Sequence, residues 1–289
     1  MRKKIARVTI WANENKPPAR EVAGLVESIL KKHRVACDRV GNAYEDPDTI
    51  GAIGDLRRQK SDLILVIGGD GTLLHAARRI QGSKTPLLGI NAGTLGFLTS
   101  LPREGVVEAL PRILRGEYYV TERIALSVRV VRDDKTFYTG WALNEGVITR
   151  GGHSHMVRLD VRINGEYLTT YLCDGLIIAT PTGSTAYSLS AGGPIITPNA
   201  EAFLLNPLCA HALTNRPLVV DAGSPIFIEI PNDSPVLDLE TDGLNCLRLH
   251  PKDRVEFSKA KGATRLAWLP ETNFYTVLRQ KLRWSGTSI

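Results

Sequence analysis

Residues 63–67 form a continuous apolar run that ends in two glycines, Gly68 and Gly69. An apolar run without alternation is typical of a strand that is buried on both faces, as strands are in parallel sheets covered by helices. Residues 72–80 follow with a spacing that predicts a helix. A buried strand, a glycine turn and a helix in this order predict an α/β layer around the turn.

Strand and helix signals alternate through the first part of the chain. The predicted elements are a strand at residues 7–11, a helix at 18–32, a strand at 35–40 and a strand at 87–90. Because crossover helices join parallel strands, this alternation predicts an open sheet of mainly parallel strands.

The pattern changes between residues 118 and 124, beyond which short strand-like runs dominate. These runs lie at residues 125–131, 137–142, 157–163, 176–179, 218–220, 226–230, 236–239 and 247–249. They predict a mainly β domain of the sandwich type. We therefore predict an α/β domain over residues 1–122 and a β-sandwich-like domain over residues 123–274. A helix-like C-terminal segment, residues 275–289, is expected to pack back on the first domain.

Composition narrows the class of protein. The net charge of +6 and the pI near 9.2 suit an anionic partner, but the basic residues are spread out, so we predict nucleotide-like substrates and no nucleic acid. Four scattered cysteines indicate reduced thiols, without a disulfide framework or a structural zinc site. No secretory signal pattern and no bilayer-length apolar run are present in the sequence, so a cytoplasmic protein without a membrane partner is predicted.

The turn after the first buried strand predicts a phosphate loop, which reads Gly68-Gly69-Asp70-Gly71-Thr72. Glycines permit left-handed backbone angles and leave peptide N–H groups open to a phosphate, and the following helix directs its positive end there. A carboxylate at this place repels a phosphate. Asp70 therefore either removes a proton from an attacking hydroxyl or helps to hold a magnesium ion. The alternative is that Asp70 only caps the helix.

Two further segments are candidates for ligand binding. Residues 180–194 form a long run of small and hydroxyl-bearing residues with one aromatic, Tyr187, which can pack on a base or a ribose. We interpret this run as a binding loop on a β framework, with an ordinary surface loop as the alternative. The pair Asn144-Glu145 interrupts an apolar strand context, so it is either satisfied internally or turned towards a ligand.

Together these segments resemble the NAD kinase family, with the same motif order from residue 63 to residue 216. The glycine turn is similar to the first family signature, residues 91–98 to the loop that follows, Asn144-Glu145 to the family's Asn-Glu pair, and residues 180–194 to its long signature. His211 and residues 216–219 continue the match. Diacylglycerol-type lipid kinases share the first signature, and phosphofructokinases share it more loosely, whereas the long one is specific to NAD kinases.

The resemblance implies an α/β domain and a β-sandwich domain with the active site between them. It implies that Asp70 is the catalytic base that deprotonates the 2′-hydroxyl of the adenosine ribose of NAD, which then attacks the terminal phosphate of ATP with Mg²⁺ or another divalent metal. No metal ligand is assigned to a side chain. A homo-oligomer, dimer or tetramer, is also implied. The implied NAD-binding residues are Asp70, Gly71, Phe97, Asn144, Glu145, His155, Asp174, Thr185, Ala186, Tyr187, Ser188, Leu189 and Ser190.

The sequence departs from the family pattern at two positions. Leu172 stands where many bacterial members have arginine, which leaves the preference between NAD and NADH open, and Leu244 stands where the family often has glutamine. The choice between ATP, another nucleoside triphosphate and polyphosphate also stays open. The rival interpretations are a lipid kinase, which would need an apolar or membrane-binding surface, and a sensor that binds NAD or NADP without turnover.

Overall fold

The computed structural model describes residues 4–40, 60–93, 96–152 and 155–284. By its contacts the chain forms two compact units, one of Met1–Glu122 with Thr264–Ile289 and one of Arg123–Ala263. Each unit has its own hydrophobic core. No helix in the described ranges is long and apolar enough to cross a membrane.

The first unit begins as an alternating α/β chain. Its elements up to the boundary are β1 (Arg7–Ala12), α1 (Pro17–Lys32), β2 (Ala36–Val40), β3 (Leu63–Gly68), α2 (Asp70–Arg79), β4 (Leu87–Asn91), β5 (Leu101–Pro102), α3 (Val106–Leu114) and β6 (Tyr119–Arg123).

The second unit is almost entirely β. Its elements are β7 (Leu126–Arg132), β8 (Lys135–Ala142), β9 (Glu145–Thr149), β10 (Val157–Ile163), β11 (Glu166–Cys173), β12 (Gly175–Ala179), α4 (Tyr187–Ser190), β13 (Ala202–Leu208), β14 (Leu218–Asp221), β15 (Ile226–Glu229), β16 (Leu237–Thr241), β17 (Leu244–Leu249) and β18 (Arg254–Lys259). The chain then returns to the first unit with β19 (Thr264–Trp268) and α5 (Phe274–Leu282).

The sheet of the first unit has the strand order β2-β1-β3-β4-β19-β6, with β5 beside β4. Strands β1, β3 and β4 are parallel neighbours, in a register that pairs Ala12 with Ile67 and Gly68 with Asn91. All residues of β3 and β4 are buried, which explains their unbroken apolar sequences. The carboxyl ends of the three strands therefore meet at one edge of the sheet, where ligands bind in open α/β folds.

The second unit contains two six-stranded sheets, β11-β10-β15-β18-β7-β8 and β14-β13-β12-β9-β16-β17. Residues from both sheets share one core, as in a sandwich. Side chains alternate between the faces of a strand, so Ile148 points into that core while Val147 lies on the outer face of the second sheet with Ile177 and Ala179. Glu145 lies on the same outer face as Val147, two positions before it.

The prediction of an α/β layer followed by a mainly β domain is confirmed. The domain limits differ at one place, because residues 264–274 were assigned to the second domain and belong by contacts to the first unit. The cause is β19, whose Leu266 pairs in parallel with Leu87 of β4. Of the predicted C-terminal segment, residues 285–289 lie outside the described residues.

Several elements have no counterpart among the predicted segments, and α3, β11 and β13 show why. Helix α3 carries Pro111 in its interior, and proline normally argues against a helix because it cannot donate the backbone hydrogen bond. Strand β11 is an edge strand with mostly exposed side chains, so it lacks an apolar signal. Strand β13 contains Pro207, which weakens a strand interpretation in the same way.

Candidate active site

Asp70 is the first residue of α2 and is half-buried. Its Oδ2 accepts the backbone N–H of Phe97 at 2.7 Å, and its Oδ1 accepts that of Leu98 at 3.0 Å. The residue that precedes the helix is Gly69, and no side chain caps the helix there. The Asp70 carboxylate is therefore fixed by the loop after β4, and the alternative that Asp70 caps α2 does not describe its bonding.

The glycines around Asp70 leave space that a Cβ atom would occupy. A Cβ at Gly96 would overlap the Asp70 carboxylate, and a Cβ at Gly68 would overlap the side chain of Thr72. A Cβ at Gly69 would meet nothing within 4 Å. Gly68 and Gly96 are thus needed for packing, whereas Gly69 leaves an open approach to the turn.

The backbone angles correct one part of the sequence argument. Gly69 has φ −103° and ψ −171°, an extended conformation. None of the three glycines of the turn is among the residues with positive φ. The turn therefore does not need the left-handed conformation of glycine, and the absence of a side chain is the property that it uses.

Two more polar side chains lie at the same sheet edge in the first unit. Asn13 directly follows β1, and its N–H donates to the Ile67 carbonyl oxygen at 3.0 Å. Its side chain is buried, with Oδ1 accepting no hydrogen bond within the described part of the chain. Asn91 ends β4 and accepts the N–H of Gly93 at 2.8 Å. Sequence reasoning missed Asn13, although a polar residue that directly follows a buried strand was the available signal.

Phe97 belongs to the loop that holds Asp70 and is half-buried. The Nζ of Lys281, on α5, lies 5.6 Å from the centre of the Phe97 ring, within cation–π range. The N–H of Gly96 donates to Thr99 Oγ1 at 3.2 Å, which fixes the start of the same loop. Residues 94 and 95 of this motif lie outside the described residues.

In the second unit, Asn144 and Glu145 are buried at the start of β9. The Oδ1 of Asn144 and the Oε2 of Glu145 have no hydrogen-bond partner among the described residues. Burial, and secondly the charge of Asp242, raise the pKa of Glu145 to about 8. Two adjacent buried side chains thus each carry an oxygen that lacks a partner, which is the arrangement expected of a ligand-binding pair.

Asp242 fixes the backbone of this pair from the turn between β16 and β17. Its Oδ2 accepts the N–H of Leu143 at 2.8 Å, and its Oδ1 accepts those of Asn144 at 2.8 Å and Glu145 at 3.2 Å. The N–H of Asp242 donates to the Glu145 carbonyl oxygen at 2.9 Å. Asp242 is a residue to which the sequence pattern alone assigned no role.

The start of the long loop packs against the same backbone. Thr180 donates its N–H to the Asn144 carbonyl oxygen at 2.8 Å and its hydroxyl to the Leu143 carbonyl oxygen at 2.6 Å. Its Oγ1 also accepts the N–H of Gly183 at 3.1 Å. A Cβ at Gly183 would overlap the Asn144 backbone, so glycine permits this close approach. The structure therefore brings the loop and the Asn144-Glu145 pair together.

The six loop residues assigned to NAD divide by exposure. Tyr187 and Ser190 are exposed, and Thr185, Ala186 and Leu189 are half-buried. Ser188 is fully buried, and its Oγ accepts a hydrogen bond from Asn206 Nδ2 at 3.1 Å. The first five have side-chain surface available to a ligand, whereas Ser188 anchors the loop to β13.

Asp174 and His155 lie elsewhere in the second unit. Asp174 precedes β12 and Thr180 follows it, so about 20 Å of strand separates Asp174 from the Asn144-Glu145 pair. The Asp174 carboxylate pairs with Arg150, Nε to Oδ1 at 3.4 Å. His155 is exposed near β10, whose Val157 pairs with Cys173 beside Asp174. These two residues form a second group at the far end of β12.

The remaining residues of the resemblance lie near this second group. The N–H of His211 donates to the Leu172 carbonyl oxygen at 2.9 Å. The guanidinium of Arg216 donates to the Leu213 carbonyl oxygen at 2.6 Å. Leu172 itself is partly exposed. The position where arginine is common therefore holds an apolar surface side chain.

Comparison with known proteins identifies the family. The model of the ATP-NAD kinase N-terminal domain matches residues 8–118, and that of the ATP-NAD kinase C-terminal domain matches residues 143–269. A curated NAD kinase of Geobacter metallireducens is 37% identical over 278 residues, which cover 96% of this chain and 98% of the relative. One from a Thermoanaerobacter species is 44% identical over 223 residues, covering 77% and 79%. The chain therefore belongs to the NAD kinase family, and the predicted class of enzyme is confirmed.

Solved structures agree with this assignment. Yeast NADH kinase complexed with NADH matches with a TM-score of 0.85 and 25% identity, covering 99% of this chain and 90% of the other. An NAD kinase from Archaeoglobus fulgidus in complex with ATP matches with a TM-score of 0.76 and 23% identity, covering 97% and 100%. The second likeness supports the fold alone. The predicted fold class is thus confirmed by structure as well as by sequence.

Proposed function

We propose that the chain transfers the terminal phosphate of ATP to the 2′-hydroxyl of the adenosine ribose of NAD, with Asp70 as the general base. The observation that carries this proposal is the position of Asp70. Its carboxylate stands at the end of a parallel strand, at the start of a helix, and is held by the N–H groups of Phe97 and Leu98. A ribose hydroxyl is a poor nucleophile, so a positioned carboxylate gives the reaction what it lacks.

The two hydrogen bonds define how Asp70 acts. Each carboxylate oxygen uses one lone pair for a backbone N–H and retains another for a substrate hydroxyl. Because the loop fixes both oxygens, the carboxylate does not rotate away from the hydroxyl that it deprotonates. General-base catalysis of this kind contributes about 10²–10⁴-fold, and positioning supplies much of the rest.

The phosphate groups are assigned to the open side of the turn. Gly69 and Gly71 present no side chain there, Gly71 is exposed, and α2 directs its positive end to the same side. Gly68 and Thr72 support the turn from within. These residues would orient the terminal phosphate for attack by the hydroxyl.

The side chains beside the turn offer few ligands to a divalent metal. No group of three His, Cys, Asp or Glu side chains able to hold a metal comes together in the described ranges. Mg²⁺ in kinases is commonly held by one or two carboxylates together with substrate phosphates, and the half-buried Asp70 is the carboxylate beside the turn. When bound, Mg²⁺ would offset the negative charge of the phosphates.

The dinucleotide is assigned to the second unit and to Phe97. Asn144 and Glu145 offer buried oxygens to ribose hydroxyls and to the base. Thr185, Ala186, Tyr187, Leu189 and Ser190 would line the adenosine pocket, with Ser188 behind them. By the same resemblance, Asp174 would contact the nicotinamide half of NAD and His155 would lie beside the ligand. A homo-oligomer is also proposed on the resemblance, and light scattering of the purified protein tests it.

The test is a matrix of phosphate donors against acceptors with the purified protein. ATP, other nucleoside triphosphates and polyphosphate are each combined with NAD or NADH and Mg²⁺, and NADP or NADPH is measured. NADP formation from NAD and ATP supports the proposal. Tight NAD binding without product supports the sensor, and phosphorylation of a diacylglycerol or sphingoid lipid supports the lipid kinase. The matrix also measures the acceptor preference that Leu172 leaves open.

A further inference from the structure

Asp242 accepts hydrogen bonds from residues that lie outside its own turn. Its carboxylate accepts three consecutive N–H groups, those of Leu143, Asn144 and Glu145, from the segment that leads into β9. A carboxylate that accepts several backbone N–H groups holds a backbone in one conformation. The segment it holds contains the two side chains whose buried oxygens lack partners. Asp242 therefore determines where those two oxygens lie.

The same carboxylate also places a negative charge beside a buried acid. Burial is the larger cause and the charge of Asp242 the second cause of the raised pKa of Glu145, about 8. Glu145 is 6% exposed, and its Oε2 accepts no hydrogen bond within the described residues. The raised pKa favours the neutral form of the Glu145 carboxyl group at neutral pH. A protonated carboxyl group can donate one hydrogen bond as well as accept others.

We propose that Asp242 is a positioning residue of the dinucleotide site, which fixes the Asn144-Glu145 backbone so that Glu145 donates a hydrogen bond to the ligand as a neutral acid. This inference rests on the proposed function, since the ligand is taken to be NAD. The chemistry of the ligand suits a neutral acid. The diphosphate of NAD is anionic, so an ionised Glu145 in a buried site would repel it, whereas a protonated one would not.

The neighbouring elements do not supply a compensating charge. β12 and residues 180–186, which pack against the start of β9, contain no titratable side chain. On β16, Glu240 pairs with Val147 and Asp238 with Thr149, so both lie further along the same face. Beyond them on β17, Cys246 pairs with Glu240 and Arg248 with Asp238. Asp242 is the charged group that acts on the Glu145 pKa.

The test is the pH dependence of KM for NAD, measured in buffers on both sides of the Glu145 pKa of about 8. The wild type is expected to show a constant KM at low pH and a rise of about tenfold per pH unit once Glu145 ionises. Glu145→Gln, which mimics the neutral acid, should lose that rise. Asp242→Asn should move the rise to lower pH by at least about half a unit, because the neighbouring charge is gone.

Glu240→Gln is the matched control. It removes one negative charge from an exposed position of β16, two residues before Asp242 in the following turn. The KM profile of this variant should coincide with that of the wild type. An active wild type with a flat KM profile would overturn the inference, as would an Asp242→Asn profile with an unmoved rise.

A second measurement does not depend on the folding of Asp242→Asn. It also distinguishes a failure of this inference from a failure of the proposed function. Infrared difference spectra of the wild type against Glu145→Gln at neutral pH report a protonated carboxyl group directly. The band of a protonated acid supports the inference, and its replacement by a carboxylate band overturns it. If the wild type shows that band but forms no NADP from NAD and ATP, the proposed function fails and the assignment of a neutral Glu145 stands.

Discussion

Each unit contains one acid to which a role is assigned, and the two acids lie in opposite environments. Asp70 is half-buried, and both of its oxygens accept backbone N–H groups from the loop after β4. Glu145 is buried, one of its oxygens has no partner among the described residues, and Asp242 places a negative charge beside it. One carboxylate thus accepts two backbone donors, and the other is buried beside a like charge.

This difference indicates two roles. A carboxylate with fixed orientation and free lone pairs suits proton abstraction, because its geometry is set before the substrate arrives. A buried acid with a raised pKa suits binding as a neutral group, because its charged form is disfavoured. The same functional group is thus assigned to catalysis in one unit and to recognition in the other.

The largest effect is expected for Asp70→Asn. Turnover should fall at least about a hundredfold, because an amide does not act as the base, while NAD binding should be largely retained. The amide NH₂ would also face the N–H of Phe97 or Leu98, so one of the two hydrogen bonds between this side chain and the loop is lost. Steady-state kinetics and NAD titration measure both effects.

Thr99→Val distinguishes the loss of the base from a change in the loop that holds it. This variant removes the acceptor for the Gly96 N–H, 3.2 Å away, and so loosens the same loop without altering Asp70. A small loss of turnover in Thr99→Val beside a large one in Asp70→Asn identifies the carboxylate as the base. Equal losses in the two variants would assign the effect to the loop.

The next effect concerns the glycines beside Asp70. Gly96→Ala should reduce turnover at least about tenfold, because its Cβ would displace the Asp70 carboxylate from its two N–H donors. Gly69→Ala is the matched variant, since its Cβ meets nothing within 4 Å and its φ is −103°. It should keep the melting temperature and raise KM for ATP. An unchanged KM for ATP would remove Gly69 from the phosphate site.

The third prediction concerns the effect of Glu145 on the pH dependence of stability. The folded pKa of Glu145 is about 8 against an ordinary value of 4.5, so its stabilising contribution is complete below pH 4.5 and is lost as pH rises through about 8. Relative to Glu145→Gln, the wild type should lose about 1.4 kcal/mol of unfolding free energy per pH unit across this window. Urea unfolding at several pH values measures it. Parallel curves for the two proteins would contradict a neutral Glu145.

The smallest effects distinguish the loop anchor from the ligand surface. Ser188→Ala removes a buried hydroxyl that accepts from Asn206, and should cost about 1 kcal/mol of stability with KM for NAD unchanged. Ser190→Ala alters an exposed hydroxyl, and should change stability by less than about 0.5 kcal/mol and raise KM. If Ser188→Ala raised KM and Ser190→Ala reduced stability, Ser188 would be the ligand contact and Ser190 the loop anchor. Thermal unfolding and kinetics of both variants decide between them.

The placement of Asp70 between a buried strand and a helix could be predicted from local sequence. The run of buried residues in β3, the glycine turn and the start of α2 are contiguous in sequence, so the position of Asp70 followed from pattern alone. The hydrogen bonds that fix Asp70 did not, because Phe97 and Leu98 approach it through the fold. The role of the glycines was also misread, since the turn uses their missing side chains rather than a left-handed backbone.

Non-local pairing made the second site unpredictable in detail. The pair Asn144-Glu145 stood out as polar within an apolar context, but Asp242 lies 97 residues from Glu145 in sequence. The pKa of Glu145 depends first on burial and secondly on the charge of Asp242, and the sequence displays neither. The assignment of residues 264–274 to the wrong unit has the same cause, because the pairing of Leu266 with Leu87 joins distant segments.

The different roles of Asp70 and Glu145 are tested most directly by kcat and KM for NAD. Both constants are measured for Asp70→Asn and Glu145→Ala, side by side at neutral pH. Asp70→Asn should lose kcat with little change in KM. Glu145→Ala should raise KM by about tenfold, the effect of one lost hydrogen bond, with kcat largely retained. A normal kcat in Asp70→Asn, or a loss of kcat in Glu145→Ala as large as that in Asp70→Asn, would contradict the division of roles between the two acids.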